Sequence, residues 1–549
     1  MAVQTDETAK SLEKNARSPQ VCLPGDSPKV RSFIMKASTF LKSTVILTVA
    51  TLTSKILGSL FRIPLQNMAG DEVLGIFSLV YPVYMVALIL SVAGIPIAIS
   101  KLIAEARTSR SSEDIYYIQK TARILALILG AITLGGLITF SGPLAHAIGG
   151  LSTEPALIAV SFTLLAAPYM AVDRGYFQGF EDMKPTAISQ VIEQFIRVLI
   201  ILTAAYVMTA LQFSDAMIAA GVMLSSLFGV MGSMIYLKKR LRHSSFKVTQ
   251  TYTYQLRHFK MWGKKILSVS VPIAIGTVTM ALFNVVDSLT IPHFLTNAAE
   301  GQTTYLYGIY GRGLALVQIA TVFATSVVLP LIPSLTTHVE SGHRQEAKKL
   351  IETTRWLTHL LSWPIAALLI GLAVPLNIAL FTNTEGSLMI AITGFSSIFI
   401  SLTLVGTAIL QGMNAPRLAA GIILIGALMK AGSNALLVPQ YEIEGAAAAS
   451  GLTYFVIMVL NSFVIMKFVP IQVLPLHFSK IIWTTLLLGG PLGAVFVMTQ
   501  PFEWSRTVSF LVCVITALLF VFLYAFVLIK WRAYDYEAVK TVPILSRFI

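Results

Sequence analysis

The chain has 549 residues, 55% of them hydrophobic and 12% charged, with a net charge of +14 and a mean hydropathy of +0.76. Soluble domains carry about 25% charged residues, so this composition excludes a soluble enzyme or binding module and fits a polytopic membrane protein. The basic excess would suit nucleic acid, but in a membrane chain the first question is which loops hold it.

The first 39 residues mix Lys10, Lys14, Arg17, Lys29, Arg31 and Lys36 with Asp6, Glu7, Glu13 and Asp26, and read as a disordered tail. From Phe40 onward, apolar runs of roughly 20 residues recur, and length and polar punctuation predict about fourteen spanning helices. They begin near Phe40, Leu74, Thr121, Pro155, Pro185, Asp215, Ile266, Tyr307, Arg355, Gly386, Arg417, Gly445, Lys480 and Arg506. The first run is long enough to span, so it is read as a span and not as a secretory signal. Cys22 lies in the tail and Cys513 in an apolar run, which supports neither a disulfide framework nor a cysteine metal site.

Loop charges alternate in sign along the chain. Lys101, Arg107, Arg110, Lys120 and Arg123 share one side with Arg174 and Lys184, with the run from Lys238 to Lys265, and with Arg344, Lys348, Lys349 and Arg355. The other side holds Asp71, Glu72, Glu154, Asp215, Glu300, Glu385, Glu442, Glu444 and Glu503. Lysine and arginine mark the cytoplasmic side, so both termini are expected there, and no nucleic-acid partner is needed to explain the charge.

Landmarks of the first half return later at a nearly fixed spacing. Phe177-Gln178-Gly179 matches Leu410-Gln411-Gly412, Arg197 matches Lys430, and Gly75-Ile76-Phe77 matches Gly308-Ile309-Tyr310, each 233 residues on (411 − 178, 430 − 197, 308 − 75). The repeat covers six spans, an even number, so the halves are parallel and related by a pseudo-two-fold axis along the membrane normal. The expected organisation is a cytoplasmic tail 1–39, a six-helix lobe 40–240, a basic linker 241–265, a second six-helix lobe 266–470, and two further helices with a tail in 471–549.

Several charges fall inside apolar runs, where each costs on the order of 2.5 to 3.5 kcal/mol at mid-bilayer. Lys55 and Arg62 are seven apart in the first run, hence on one face. They either face a wet cavity whose negative charge arrives with a ligand, or snorkel to the two ends of the span. Asn284 and Asp287 share a face of the seventh span, and Lys430 and Asn434 share one of the eleventh. An Asp287–Lys430 ion pair is favoured there over a cation site. Glu193 and Arg197, four apart, are expected to pair along their helix. Arg174 and Gln178 stand at the cytoplasmic end of the fourth span, as a gate, a contact for incoming substrate, or a turn anchored by its charge. The sequence has no P-loop, no HExxH and no convincing nucleophile and base pair. Its histidines, among them His146, His293, His338, His343 and His359, are scattered. An enzyme is not expected, and energy for any work must come from gradients or the membrane potential.

Ser54-Lys55 with Gly58 and Arg62, Gly94 to Lys101, Arg174-Gly175-Tyr176-Phe177-Gln178-Gly179 and Pro185 to Gln194 resemble the polysaccharide-exporter branch of the multidrug/oligosaccharidyl-lipid/polysaccharide superfamily. Within it, the likeness is to stage V sporulation protein B and YtgP-like proteins, relatives of the MurJ lipid II flippases. The resemblance implies a V-shaped, two-lobed flippase in the bacterial cell membrane that moves undecaprenyl-pyrophosphate-linked sugars from the inner to the outer leaflet. It implies that Lys55, Arg62 and Arg312, the last in Tyr310-Gly311-Arg312-Gly313, line one cavity and hold the pyrophosphate, with Gly58 leaving room for the head group. Lys55 stands where MurJ proper has arginine, and the second cation is displaced by one position. Some relatives bind sodium in the second lobe, so sodium or proton coupling is an expectation beside that of no chemical cofactor. Cell-envelope synthesis proteins are expected partners. A cation antiporter of the same superfamily would favour acidic cavity residues, and a scaffold would have no use for intramembrane cations.

Overall fold

The computed structural model describes residues 47, 49–92, 94–244, 250, 252–295, 300–471, 478–498 and 504–531. The expected tail 1–39, Lys247, Glu503 and the chain after 531 lie outside the described residues. Among the described residues the protein is helical, with no strand.

The chain enters through helix α1 (49–60) and continues through α2 (Arg62–Val92) and α3 (Ile95–Thr108). Gly70 breaks α2 with φ 85° and ψ 178°, a conformation that a side chain would strain. The break falls beside Asp71 and Glu72, where the sequence places a loop. Next come α4 (Ser112–Thr139), α5 (Ser141–Ala147), α6 (Glu154–Ser161), α7 (Thr163–Gly179), α8 (Met183–Ala210) and α9 (Asp215–Arg242). The second half holds α10 (Leu256–Phe294), α11 (Glu300–Ala320), α12 (Val322–Glu340), α13 (Arg344–Gly371), α14 (Ala373–Phe381), α15 (Ser387–Gly412) and α16 (Pro416–Phe468). The chain closes with α17 (Phe478–Met498) and α18 (Arg506–Lys530).

Nine stretches of described helix are long and apolar enough to cross a membrane, or ten if α13 and α14, bent by 75°, form one span. Two of the nine exceed a single crossing. The 53 residues of α16 would extend about 80 Å against a hydrocarbon core of about 30 Å. Its break is at Glu442, with φ 47° and ψ −126°, between the two spans expected from the sequence.

One buried core gathers Leu65, Phe77 and Tyr84 of α2 with Leu157 of α6, Ile201 of α8 and Met223 of α9. A second joins Phe283 of α10, Leu331 of α12, Ile351 of α13, Ile409 of α15 and Ile457 of α16. The last two helices pack on α13 through Trp356, Ile481, Phe520 and Tyr524, outside both cores.

The halves meet where α2 crosses α11. A Cβ on Gly75 would collide with the Thr304 carbonyl, and one on Gly308 with the Asp71 carbonyl. These contacts are images of each other, since 304 − 71 and 308 − 75 are both 233. That reciprocity is what a two-fold relation through the crossing requires. Packing within the halves repeats as well: Gly179 rests on Ile103 and the Ser100 carbonyl, and Gly412 on Leu335 and the Ile332 carbonyl. In lipid, helices associate by close packing at small residues, so these glycines hold the register of both halves.

Candidate functional site

Two cavities adjoin the crossing. The first, about 590 Å³, is lined by Lys55 and Arg62, by Arg174 of α7, by Glu193 and Arg197 of α8, and by Gln318 of α11. The second, about 460 Å³, is lined by Tyr81, Tyr310, Tyr454, Asn284, Asp287 and Lys430, with the hydroxyls of Thr393, Ser396, Thr403, Thr407 and Ser450. Arg62, Tyr81, Met85, Gln318 and Thr321 belong to both.

Lys55 is exposed on the wall of the first cavity and makes no ion pair among the described residues. Seven residues on, Arg62 is 5% exposed. No carboxylate lies within salt-bridge reach of it among the described residues, its Nε has no hydrogen-bond partner, and its guanidinium stands 5.6 Å from the Phe77 ring centre. Burial rules out snorkelling for Arg62. Gly58 also lines the first cavity, and a Cβ there would meet the Gln194 side-chain amide, with Nε2 at 3.1 Å, so the glycine also lets α1 approach α8.

Glu193 accepts from Arg197 Nη2 and from Arg174 Nη2, both at 2.7 Å. The pairing of Glu193 with Arg197 is thus joined by a second arginine, which also donates to Ser189 Oγ at 2.9 Å and Ser233 Oγ at 3.1 Å. Arg174 ties α7 to α8 and α9 inside the cavity wall. Gln178, one turn further, is half-buried in the last turn of α7, where its carbonyl accepts from Glu181 N. Four cations and one carboxylate on the first cavity leave it with a net positive charge. Sequence reasoning missed the part played by Arg174, because its partner lies on another helix.

Arg312 is a correction. It is 0% exposed and lines neither cavity. Its Nε donates to Asp71 Oδ1 at 2.7 Å and its Nη2 to Asp71 Oδ2, while Nη1 donates to Asn383 Oδ1 at 2.6 Å and Asn377 Oδ1 at 3.2 Å. The fork of the guanidinium matches a carboxylate in this bidentate way. Arg312 therefore latches α11 to α2, one turn from Gly308, and its negative partner is built into the protein.

Asp287, 2% exposed, accepts from Lys430 Nζ at 2.7 Å, Tyr310 Oη at 3.1 Å and Asn434 Nδ2 at 3.1 Å. Asn434 also donates to Thr290 Oγ1 at 2.8 Å. Asn284, on the same helix, stays exposed to the second cavity. A sodium ion needs a cage of oxygen acceptors. Here the Lys430 ammonium is the cation paired with Asp287, and the Asn434 Oδ1, buried without a partner, is an oxygen acceptor left beside the pair.

Over residues 40–337 the chain matches the family described as polysaccharide biosynthesis protein. It is 30% identical over 423 residues to the uncharacterized membrane protein YabM of Bacillus subtilis strain 168, covering 76% of this chain and 78% of that protein. It is 26% identical over 534 residues to stage V sporulation protein B of the same organism, covering 94% of this chain and 100% of that one. The solved structure of lipid II flippase MurJ in an inward closed conformation aligns with a TM-score of 0.64 at 15% identity, covering 89% and 99% of the two chains, a likeness of fold. A multi-pass bundle with charged cavities between two halves and these relatives defines a membrane transporter of the flippase superfamily. The chain belongs to the polysaccharide biosynthesis protein family.

Proposed function

We propose that this protein is a flippase that carries undecaprenyl-pyrophosphate-linked sugars from the inner to the outer leaflet of the bacterial cell membrane by alternating access, without enzymatic chemistry. The observation that supports this best is the buried, unpaired Arg62 guanidinium at the junction of the two cavities. A charge left so in the protein is costly unless something anionic joins it, and a pyrophosphate supplies that partner at the moment of binding. Lys55 on the exposed side of the wall would meet the head group first, and Arg62 would hold it with two donors. The tyrosine and hydroxyl wall of the second cavity suits the sugars, offering ring faces and hydrogen-bond partners. A net positive cavity counts against the export of cationic compounds.

In this reading the lobes are 40–240 and 266–470, both termini are cytoplasmic, and the Asp71–Arg312 latch closes the outer side. No chemical cofactor is needed, and envelope-synthesis proteins that make or use the lipid are its natural neighbours. The test is a reconstituted assay with lipid-linked substrates in proteoliposomes. Arg62→Ala should keep normal membrane abundance and weaken binding of undecaprenyl pyrophosphate about 10- to 100-fold, the worth of a charge-assisted hydrogen-bond pair. Arg312→Ala should retain that binding while losing transport. Unchanged binding by Arg62→Ala would overturn the assignment.

A further inference from the structure

The turn between α12 and α13 holds a group of side chains with no part in the cavities. α12 ends in a left-handed glycine, Gly342, at φ 75°. His343 N donates to the His338 carbonyl at 2.9 Å, and Gly342 N to the Val339 carbonyl at 3.2 Å. These are the paired 6→1 and 5→2 bonds of a Schellman cap, a rigid backbone motif that sets the residue three before the cap beside the second residue after it. Those positions are usually apolar and in contact. Here both are histidines, His338 and His343.

Glu346, three residues on in the first turn of α13, completes the set. Its Oε2 lies 3.3 Å from His338 Nδ1 and 3.6 Å from His343 Nδ1, and the three ligand atoms fall within 4.8 Å of one another. These separations are long for strong hydrogen bonds. They are close to the edge of a tetrahedron with metal–ligand bonds of about 2.05 Å, which is about 3.3 Å. Among the described residues this is the one cluster of histidine, cysteine or carboxylate groups so arranged.

We propose that His338, His343 and Glu346 form a divalent transition-metal site of zinc type, with two imidazole nitrogens, one carboxylate oxygen and an open fourth position for water. Two imidazoles and a carboxylate are a donor set that zinc accepts, and hard cations such as magnesium prefer all-oxygen sites. The capped turn fixes the backbone before the metal arrives, so little ordering is required on binding. The metal ties the last turn of α12 to the first turn of α13. The opposite end of α12 carries Val322 and Thr325, which line the first cavity, so the site restrains a cavity-wall helix from its far end.

The experiment is zinc binding to the purified full chain, without a histidine tag, measured by competition with a chromophoric chelator and by the zinc content after dialysis. One zinc per chain is expected, with magnesium not competing. His338→Ala, His343→Ala and Glu346→Gln should each weaken binding at least about tenfold, and Lys348→Ala, on the neighbouring surface, should leave it unchanged. His343 and Glu346 are exposed, and His338 and Lys348 are half-buried at the surface of α12 and α13, so thermal unfolding is expected to stay close to that of the parent chain. X-ray absorption at the zinc edge should show two nitrogen ligands and oxygen. Absence of bound zinc, or full affinity in the chain with all three ligands replaced, overturns the proposal.

Discussion

Arg62 and Arg312 are the same residue type in similar apolar surroundings, and only the structure separates their roles. Arg312 is satisfied by Asp71, 241 residues away in the chain, and local sequence holds no sign of that meeting. Asp71 reads as one more acidic loop residue until Gly70 turns it toward the Gly308 face. The Asp287–Lys430 pair was more legible, because an acid and a lysine isolated in apolar runs have few alternatives to each other. That pair makes a sharp prediction. Asp287→Asn strands the Lys430 ammonium and Lys430→Met strands the carboxylate, and losing one partner of a buried pair costs about 3 to 5 kcal/mol. Each single variant should show low abundance in the membrane and a lowered melting temperature. The double variant Asp287→Asn/Lys430→Met should recover both, by fluorescence-detected thermal unfolding in detergent. If it is as unstable as the singles, the pair is not the element that the two residues share.

Among the elements, the crossing of α2 and α11 has the tightest steric requirement. The 233-residue spacing of Gly75 and Gly308 was visible in the sequence, since glycine recurring beside isoleucine and an aromatic residue is easy to align. That the two glycines face each other's helix was not, because equivalence under a repeat does not say which elements lie on the axis. The breaks at Gly70 and Glu442 sit in the acidic loops where charge placed them. Glu442 adopts a positive φ that composition would assign to glycine, and nothing in the structure explains why. Gly75→Ala and Gly308→Ala each place a methyl against a backbone carbonyl, where a helix rather than a side chain must yield, and a cost of about 1 to 3 kcal/mol is expected. Gly135→Ala is the control, since nothing lies within 4 Å of its Cβ position. Thermal unfolding should separate the first two from the third. Equal stability of all three would mean the crossing is looser than its contacts show.

At the scale of the whole molecule, the proposed flippase raises the question of what would drive its cycle, since the sequence carries no P-loop. A pyrophosphate carries about two negative charges, and each charge crossing the full field is worth roughly 2.3 kcal/mol per 100 mV. With the cell interior negative, outward movement of the head group is downhill. The empty transporter must then return. If part of the cavity's positive charge moves with the alternating gates, its inward reset is downhill as well, and one field drives both half-cycles as long as that mobile charge stays below the two negative charges of the head group. On the proposed reading, the Lys430 ammonium already paired with Asp287 favours the field over sodium coupling, since that charge stays with the protein. The test is a proteoliposome holding labelled lipid-linked substrate, with a potassium diffusion potential set by valinomycin and no sodium gradient. Collapsing the potential should slow net outward transport, and Lys55→Gln, which removes one mobile charge, should reduce the dependence of the rate on the potential. A rate that ignores the potential and follows an imposed sodium or proton gradient would instead assign the driving force to ion coupling, with Asp287 as its first candidate.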